Sequence, residues 1–274
     1  MPSYREIYFE LKKENENFTD EVIFSLLEDL SGLNKTDIII NFDKLINNID
    51  KYNEYKDRLL KGEPYQYVLG YTYFLGNKFY VDKNVLIPRQ ETEQLVLEIE
   101  SFLRKNPTFS CNNILDICSG SGVIGISLRT RINADVDLSD ISKEANIIAN
   151  KNAELNKTNV NIYESDLFSK LAPKKYDIIV SNPPYIKNKE TVDEATLKYE
   201  PHLALFASPQ TYFYEEIFKA KDKYLNENFL LAFEIDEDME DSLKELINKY
   251  FENVSYIFKK DIYNKTRFLL IWKI

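Results

Sequence analysis

The sequence predicts an α/β fold: a mostly parallel β-sheet with helices on both faces and an antiparallel last strand, behind a small N-terminal helical module and a β-hairpin linker. Three observations carry this. From residue 91 onward, apolar strand patterns alternate with helical ones, the pattern of parallel strands joined by crossover helices. Only seven glycines occur in 274 residues, and three of them, Gly120, Gly122 and Gly125, fall within six positions directly after a strand pattern. The last two strand patterns, residues 254–259 and 267–272, are joined by a link too short for a crossover, so they must run antiparallel.

Taken in chain order, residues 4–13 are charged and amphipathic. Thr19 is placed to cap a helix through Val22, Ile23, Leu26, Leu27 and Leu30 that ends near Gly32. Asp43 opens a long helical spacing (Leu45, Ile46, Ile49, Tyr52, Tyr55, Leu59, Leu60) stopped by Gly62 and Pro64. Residues 1–64 therefore read as a helical domain without chemistry of its own, best suited to docking a substrate. Residues 65–88 are rich in aromatics around Asn77-Lys78 and predict a hairpin linker. Residues 89–274 are expected to form the α/β domain. Its helices are expected over 91–105, 123–131, 142–155 (capped by Ser142), 211–224 and 238–250. Its remaining strands are expected over 112–117, 134–138, 160–163, 176–181 and 229–234.

Composition narrows the classes. With 44% apolar and 14% aromatic residues the chain can bury a core, which excludes wholesale disorder. A net charge of −10 disfavours a phosphate backbone, so no direct nucleic-acid binding is expected. Cys111 and Cys118 are the only cysteines, which excludes a disulfide scaffold and suits a reducing compartment. They have no His or Cys companions at metal spacing, so no metal is expected. The N-terminus leads into a charged helical pattern, and the uncharged apolar runs 229–233 and 268–272 are too short to span a bilayer. The expectation is a cytoplasmic monomer without membrane contact.

The strand 113–117 runs into Cys118-Ser119-Gly120-Ser121-Gly122 and then a helix. Such a loop brings backbone N–H groups and a helix N-terminus against a ligand. Gly120, Gly122 and Gly125 satisfy G-x-G-x-x-G, so a nicotinamide dehydrogenase competes, and Asp137 or Asp140 could serve a ribose in either case. Asp116, just before the loop, suits a cationic ligand rather than a pyrophosphate, and the antiparallel last pair departs from the all-parallel nucleotide fold. Both features fit S-adenosylmethionine.

Strand 176–181 ends in Asn182-Pro183-Pro184-Tyr185. The prolines fix φ and leave carbonyls free to accept; Asn182 adds an amide oxygen, and Tyr185 a flat face. This pincer suits a planar amide or exocyclic amine. Two accepted hydrogen bonds draw its nitrogen toward tetrahedral geometry and free the lone pair. The lone His202 and the acidic run Asp236-Glu237-Asp238 offer no comparable chemistry; the run suits a helix N-terminus.

On these residues the chain resembles the HemK-type (PrmC) release factor glutamine methyltransferases, class I enzymes that use S-adenosylmethionine, along nearly its whole length. Gly62-Glu63-Pro64-Tyr65-Gln66-Tyr67-Val68-Leu69-Gly70 resembles the family's interdomain segment, and Leu86-Ile87-Pro88-Arg89-Gln90-Glu91-Thr92-Glu93 the opening of its catalytic domain. Leu115 to Gly122, Asp140-Ile141-Ser142, Ser165-Asp166-Leu167-Phe168, Asn182 to Tyr185, and Tyr199-Glu200-Pro201 continue the match.

The resemblance implies a seven-stranded Rossmann-like methyltransferase sheet and N5-methylation of the Gly-Gly-Gln glutamine of release factors. It implies donor contacts from Asp116, Cys118, Ser119, Gly120, Ser121, Gly122, Asp140, Asp166, Leu167 and Asn182. It implies substrate contacts from Arg89, Asn182, Pro183, Pro184 and Tyr185, with Asn182, Pro183 and Tyr185 catalytic. Three departures stand out: Cys118 at the loop's first glycine, no glycine in 207–211, and Asp236 after Glu234-Ile235 where glycine is usual. The rivals are an N6-adenine DNA methyltransferase, which flips its base, a ribosomal-protein glutamine methyltransferase, and a catalytically silent release-factor-binding module.

Overall fold

The computed structural model describes residues 1–16 and 18–274. They form two compact units, Met1–Tyr71 and Thr72–Ile274.

The first unit is helical: α1 (Tyr4–Glu14), α2 (Asp20–Ser31), α3 (Lys35–Ile40), α4 (Ile49–Leu60) and α5 (Tyr65–Leu69). Ser3 and Glu6 form a reciprocal capping box at α1, and Thr19 accepts from Val22 N at α2. Gly32 ends α2 in the left-handed conformation that glycine tolerates. Ile7, Leu11, Ile23, Leu26 and Leu27 meet at zero exposure in its core. The long helix expected from Asp43 begins only at Ile49. Asp43 pairs with Arg5, Leu45 bridges to Ser3, and it is Asn48 that caps α4 through Lys51 N. Helices α3 and α5 are additions; α5 occupies the start of the stretch expected to be a hairpin.

The hairpin itself is β1 (Tyr71–Phe74) and β2 (Asn77–Tyr80). Its turn is Leu75-Gly76, with φ of +47° and +80°, and not Asn77-Lys78, which lie in the strand. Positive φ at both central residues matches the twist of paired strands.

The second unit holds a seven-stranded sheet built from β3 (Asn113–Ile117), β4 (Asp135–Asp140), β5 (Asn161–Glu164), β6 (Tyr176–Ser181), β7 (Leu225–Glu234), β8 (Ser255–Lys260) and β9 (Thr266–Lys273). Their spatial order is β5-β4-β3-β6-β7-β9-β8. β9 alone runs against the other six strands, antiparallel to both β7 and β8, as the short final link requires. Side chains alternate along each strand, as in a sheet covered on both faces. Ile114, Ile178 and Val180 pack against α6 (Gln90–Lys105), α7 (Val123–Arg131) and α8 (Lys143–Leu155). Leu115, Ile117 and Ile179 pack against α10 (Tyr212–Lys219) and α12 (Glu240–Tyr250). Helix α9 (Glu194–Tyr199) follows β6, and the helix expected over 211–224 breaks at Ala220 into α10 and α11 (Lys221–Tyr224). Among the described residues no helix is long and apolar enough to cross a membrane.

Candidate active site

The carboxyl ends of β3, β4 and β6 converge where the strand order reverses, the place open α/β sheets bind ligands. A cavity of about 270 Å³ opens there, walled by Ser119, Gly120, Asp140, Asp166, Asn182 and Pro184. Cys118, Ser121 and Leu167 also line it.

The loop after β3 is held by its own backbone. Ser119 N donates to Ser139 O (3.1 Å) and Gly122 N to Ser119 O (2.8 Å). Cys118, Gly120 and Gly122 all have positive φ, at +58°, +54° and +79°. Two of the loop's three glycines are needed for space. A Cβ on Gly125 would lie 2.1 Å from Leu138 Cδ2, and one on Gly122 would lie 2.9 Å from Ile126 Cδ1. Cys118 is a side-chain-bearing residue in the left-handed region, which carries a strain of order 1 kcal/mol. Burial holds its thiol well above the ordinary range, so it is no thiolate.

Asp140 clamps the loop to the next helix. Its Oδ2 accepts from Gly120 N and its Oδ1 from Ser142 N, both at 2.8 Å. Burial raises its carboxyl. Asp116 is placed differently from the expectation of a ligand-facing carboxylate. It is fully buried beneath the loop, off the cavity wall, with Oδ2 accepting from Gly125 N at 2.8 Å. The physical reason is the pleat: Asp116 points to the α7 face of the sheet and bonds the first turn of that helix. Its Oδ1 has no partner, and burial pushes its carboxyl up to about 8. Gly122 is likewise off the wall, serving as the N-cap of α7.

The donor set fits S-adenosylmethionine better than a dinucleotide. Asp140 and Asp166 on the wall would repel a pyrophosphate but favour a cationic sulfonium and ammonium. Ser119 Oγ on the wall is buried and unpartnered, a polar atom left for a ligand. Ile141 and Leu167 supply apolar lining beside Asp140 and Asp166.

At the end of β6, Ser181 Oγ donates to Ile117 O at 2.6 Å, tying the tetrapeptide's root to β3. Asn182 and Pro184 line the cavity; Pro183, Tyr185 and Arg89 do not. Asn182 Nδ2 donates to Thr92 Oγ1 (3.3 Å), and Thr92 Oγ1 donates to Glu234 Oε2 (2.7 Å). Tyr185 OH donates to Glu234 Oε1 at 3.0 Å, and Gln210 Nε2 holds Tyr185 O at 3.0 Å. The hydroxyl of Tyr185 is therefore engaged, where the sequence assigned work only to the ring. Arg89 pairs with the buried Glu200, whose Oε2 accepts from Ile87 N at 3.1 Å. That pairing pins the segments 87–89 and 200 together. His202 sits exposed, its Nε2 2.8 Å from Leu197 O.

Thr92 and Glu234 are functional candidates that sequence reasoning missed as such. Both lay inside quoted segments, and the signal available was a glutamate ending an otherwise apolar strand, Phe229 to Phe233.

A reversed last strand, a glycine loop, a cavity-lining carboxylate at the end of β4 and Asn-Pro-Pro-Tyr after β6 define a methyltransferase of the class that uses S-adenosylmethionine. The comparisons narrow it. The Methyltransferase small domain family matches residues 97–199, and the PrmC N-terminal domain family residues 4–70. A release factor glutamine methyltransferase of Flavobacterium psychrophilum is 37% identical over 269 residues, 95% of this chain and 92% of that one. One from Lactococcus lactis is 40% identical over 222 residues, 80% of each chain. The chain belongs to the release factor glutamine methyltransferase family. Among solved structures, a Thermus thermophilus 16S rRNA N2 G1207 methyltransferase in complex with AdoMet and guanosine shares the fold. Its TM-score is 0.53 at 15% identity, covering 74% of this chain and 50% of that one.

Proposed function

We propose that this protein methylates the N5 side-chain nitrogen of the glutamine in the Gly-Gly-Gln motif of peptide chain release factors, with S-adenosylmethionine as donor. The carrying observation is that Asn182 and Pro184 wall the same cavity as Asp140 and the glycine loop. Acceptor and donor sites thus share one chamber. Curated relatives over most of the chain bear the release factor name, which does not favour the three rivals, and the net charge of −10 disfavours a DNA substrate.

Bound there, S-adenosylmethionine supplies an electrophilic methyl group on a sulfonium. The Ser119 hydroxyl is left unpartnered for it, while Asp140, which also holds Gly120 N, is placed for ribose hydroxyls. Asn182 Oδ1, on the cavity wall, accepts a glutamine amide hydrogen, which draws the nitrogen's lone pair out of conjugation; the Pro183 carbonyl, the second acceptor expected from the sequence, is off that wall. The amide needs no strong base first, because its proton becomes acidic once the nitrogen–carbon bond forms and can leave to water. The residues' contribution is positioning and electrostatics.

The helical unit is read as a docking surface for the protein substrate. Phe9 and Ile40 are 58% and 74% exposed there, apolar positions a partner could cover. The protein is further read as a cytoplasmic monomer that does not bind nucleic acid. Ile40→Lys is expected to raise KM for a whole release factor and leave a short Gly-Gly-Gln peptide unaffected. The site reading is tested by Asn182→Ala in single turnover, with donor affinity measured in parallel. A loss of about 10²–10³-fold in rate with donor binding kept is expected. Near-normal turnover would remove Asn182 from the chemistry.

A further inference from the structure

Asn182 can accept from a glutamine amide only if its own amide is turned the right way round. The two ends of an asparagine side chain are nearly the same shape, so sterics alone do not decide which end faces the cavity. A chain of hydrogen bonds does. Glu234 lies at the end of β7, fully buried, with Thr92 Oγ1 at 2.7 Å from one carboxylate oxygen and Tyr185 OH at 3.0 Å from the other. An ionised carboxylate only accepts, so Thr92 must spend its single proton on Glu234. What remains on Thr92 Oγ1 is a lone pair, 3.3 Å from the Asn182 side-chain nitrogen. Only the NH₂ end of Asn182 can satisfy it. The amide oxygen is thereby left for the cavity that Asn182 lines.

The same carboxylate holds both ends of the tetrapeptide: Asn182 through Thr92, and Tyr185 directly. Arg267, whose Nη1 donates to Ile235 O at 3.3 Å, supplies a cation close enough to favour the ionised form of Glu234, against the burial that opposes it. Burial, with Glu91 adding to it, holds the Glu234 carboxyl above the usual carboxylate range; the hydrogen bonds from Thr92 and Tyr185 and the charge of Arg267 pull the other way, toward the ionised form.

We propose that Thr92 and Glu234 are positioning residues that fix the amide polarity of Asn182, and so select a side-chain amide over a carboxylate as the group bound beside the methyl donor. This rests on the glutamine methyltransferase reading above. With the relay intact, the cavity presents an acceptor, which suits the NH₂ of glutamine and repels the carboxylate of glutamate. With the relay broken, Asn182 can turn over and present N–H donors, which a carboxylate prefers.

The test compares Glu234→Gln and Thr92→Val, both near-isosteric, with Thr92→Ser as the rescue and Asn182→Ala as the control. Each is measured for kcat and KM on a Gly-Gly-Gln peptide, for donor affinity, and for inhibition by the matching Gly-Gly-Glu peptide. In Glu234→Gln the new amide can donate to Thr92, which frees the threonine proton to donate to Asn182 and favours the flipped amide. Glu234→Gln and Thr92→Val are expected to lose about tenfold or more in kcat while keeping donor affinity. Inhibition by Gly-Gly-Glu should tighten, and Thr92→Ser should restore both readings. A purely structural role would lower kcat without moving the glutamine-to-glutamate preference, and that result would overturn the proposal. So would wild-type kinetics in Glu234→Gln alongside an impaired Asn182→Ala, which leaves the site reading standing. Normal turnover in Asn182→Ala would instead sink the site reading, and the relay with it.

Discussion

Asp140→Ala should cost both donor affinity and stability. The spacing of Asp140 after its strand points only to a ribose contact. The structure adds two backbone hydrogen bonds of 2.8 Å, from Gly120 N and Ser142 N. The first holds the glycine loop in its left-handed shape. The second sits at the entry to α8, where Ser142 also caps by accepting from Ala145 N. Removing the carboxylate leaves two partly buried N–H groups without their acceptor. Hydrogen bonds to a charged group contribute about 1.5–3 kcal/mol, and relief of an unfavourably buried charge offsets part of that, since burial raises the Asp140 carboxyl. A net destabilisation of about 1–3 kcal/mol is expected, a fall of roughly 2–12 °C in Tm for a unit of this size. Donor affinity loses the ribose contact and the ordered loop together, about 10- to 100-fold. Calorimetric titration with S-adenosylhomocysteine and thermal melts without ligand read the two effects separately. Asp140→Asn separates them further: it keeps one acceptor, but turns an NH₂ toward the other backbone N–H. Unchanged affinity with a lowered Tm would make Asp140 a structural clamp alone. An unchanged Tm would refute the two hydrogen bonds as stabilising.

Three further outcomes follow from the loop. Gly125→Ala should destabilise by about 1–3 kcal/mol, because its Cβ would lie 2.1 Å from the fully buried Leu138 side chain, and a denaturant melt reads this directly. Cys118→Gly should leave donor affinity and turnover intact and change stability by about 1 kcal/mol or less: relief of the +58° φ is set against lost thiol packing and a more flexible unfolded chain. For Asp116, the folded carboxyl titrates near 8, above its unfolded value, so the folded state keeps a proton that the unfolded state has lost. The stability linked to that proton is present at low pH and lost as pH rises toward 8. The ligand-free protein should therefore lose Tm between pH 5 and 8 more steeply than Asp116→Asn does, and equal slopes would contradict the assignment.

The parallel sheet was legible because its signals are local. Alternating apolar runs, the Ser142 cap and the short link before 267–272 each depend on a few neighbouring residues. The glycine loop was legible for the same reason, since Gly122 and Gly125 answer a steric demand made by the next helix and strand. What failed was local competition. Leu75-Gly76 and Asn77-Lys78 are both plausible turns, and only the pairing of β1 with β2 selects the first. Asp43 and Asn48 are both caps by type, but Asp43 is drawn to Arg5. Non-local chemistry was hidden altogether. Thr92 and Glu234 stand 142 residues apart and meet at 2.7 Å, a contact that no spacing pattern records. Asp116 was read by position in a motif, and its burial behind the loop follows from which side of the pleat it occupies.

Mass spectrometry of a release factor incubated with the protein and S-adenosylmethionine tests the central claim most directly. The account predicts one added methyl on the Gly-Gly-Gln peptide, localised by fragmentation to the glutamine side-chain nitrogen. The methyl should be absent when Asn182→Ala replaces the wild-type protein, and absent when the glutamine is replaced by glutamate. A methyl on any other residue, or an unmodified glutamine beside a protein that binds the donor normally, would contradict it.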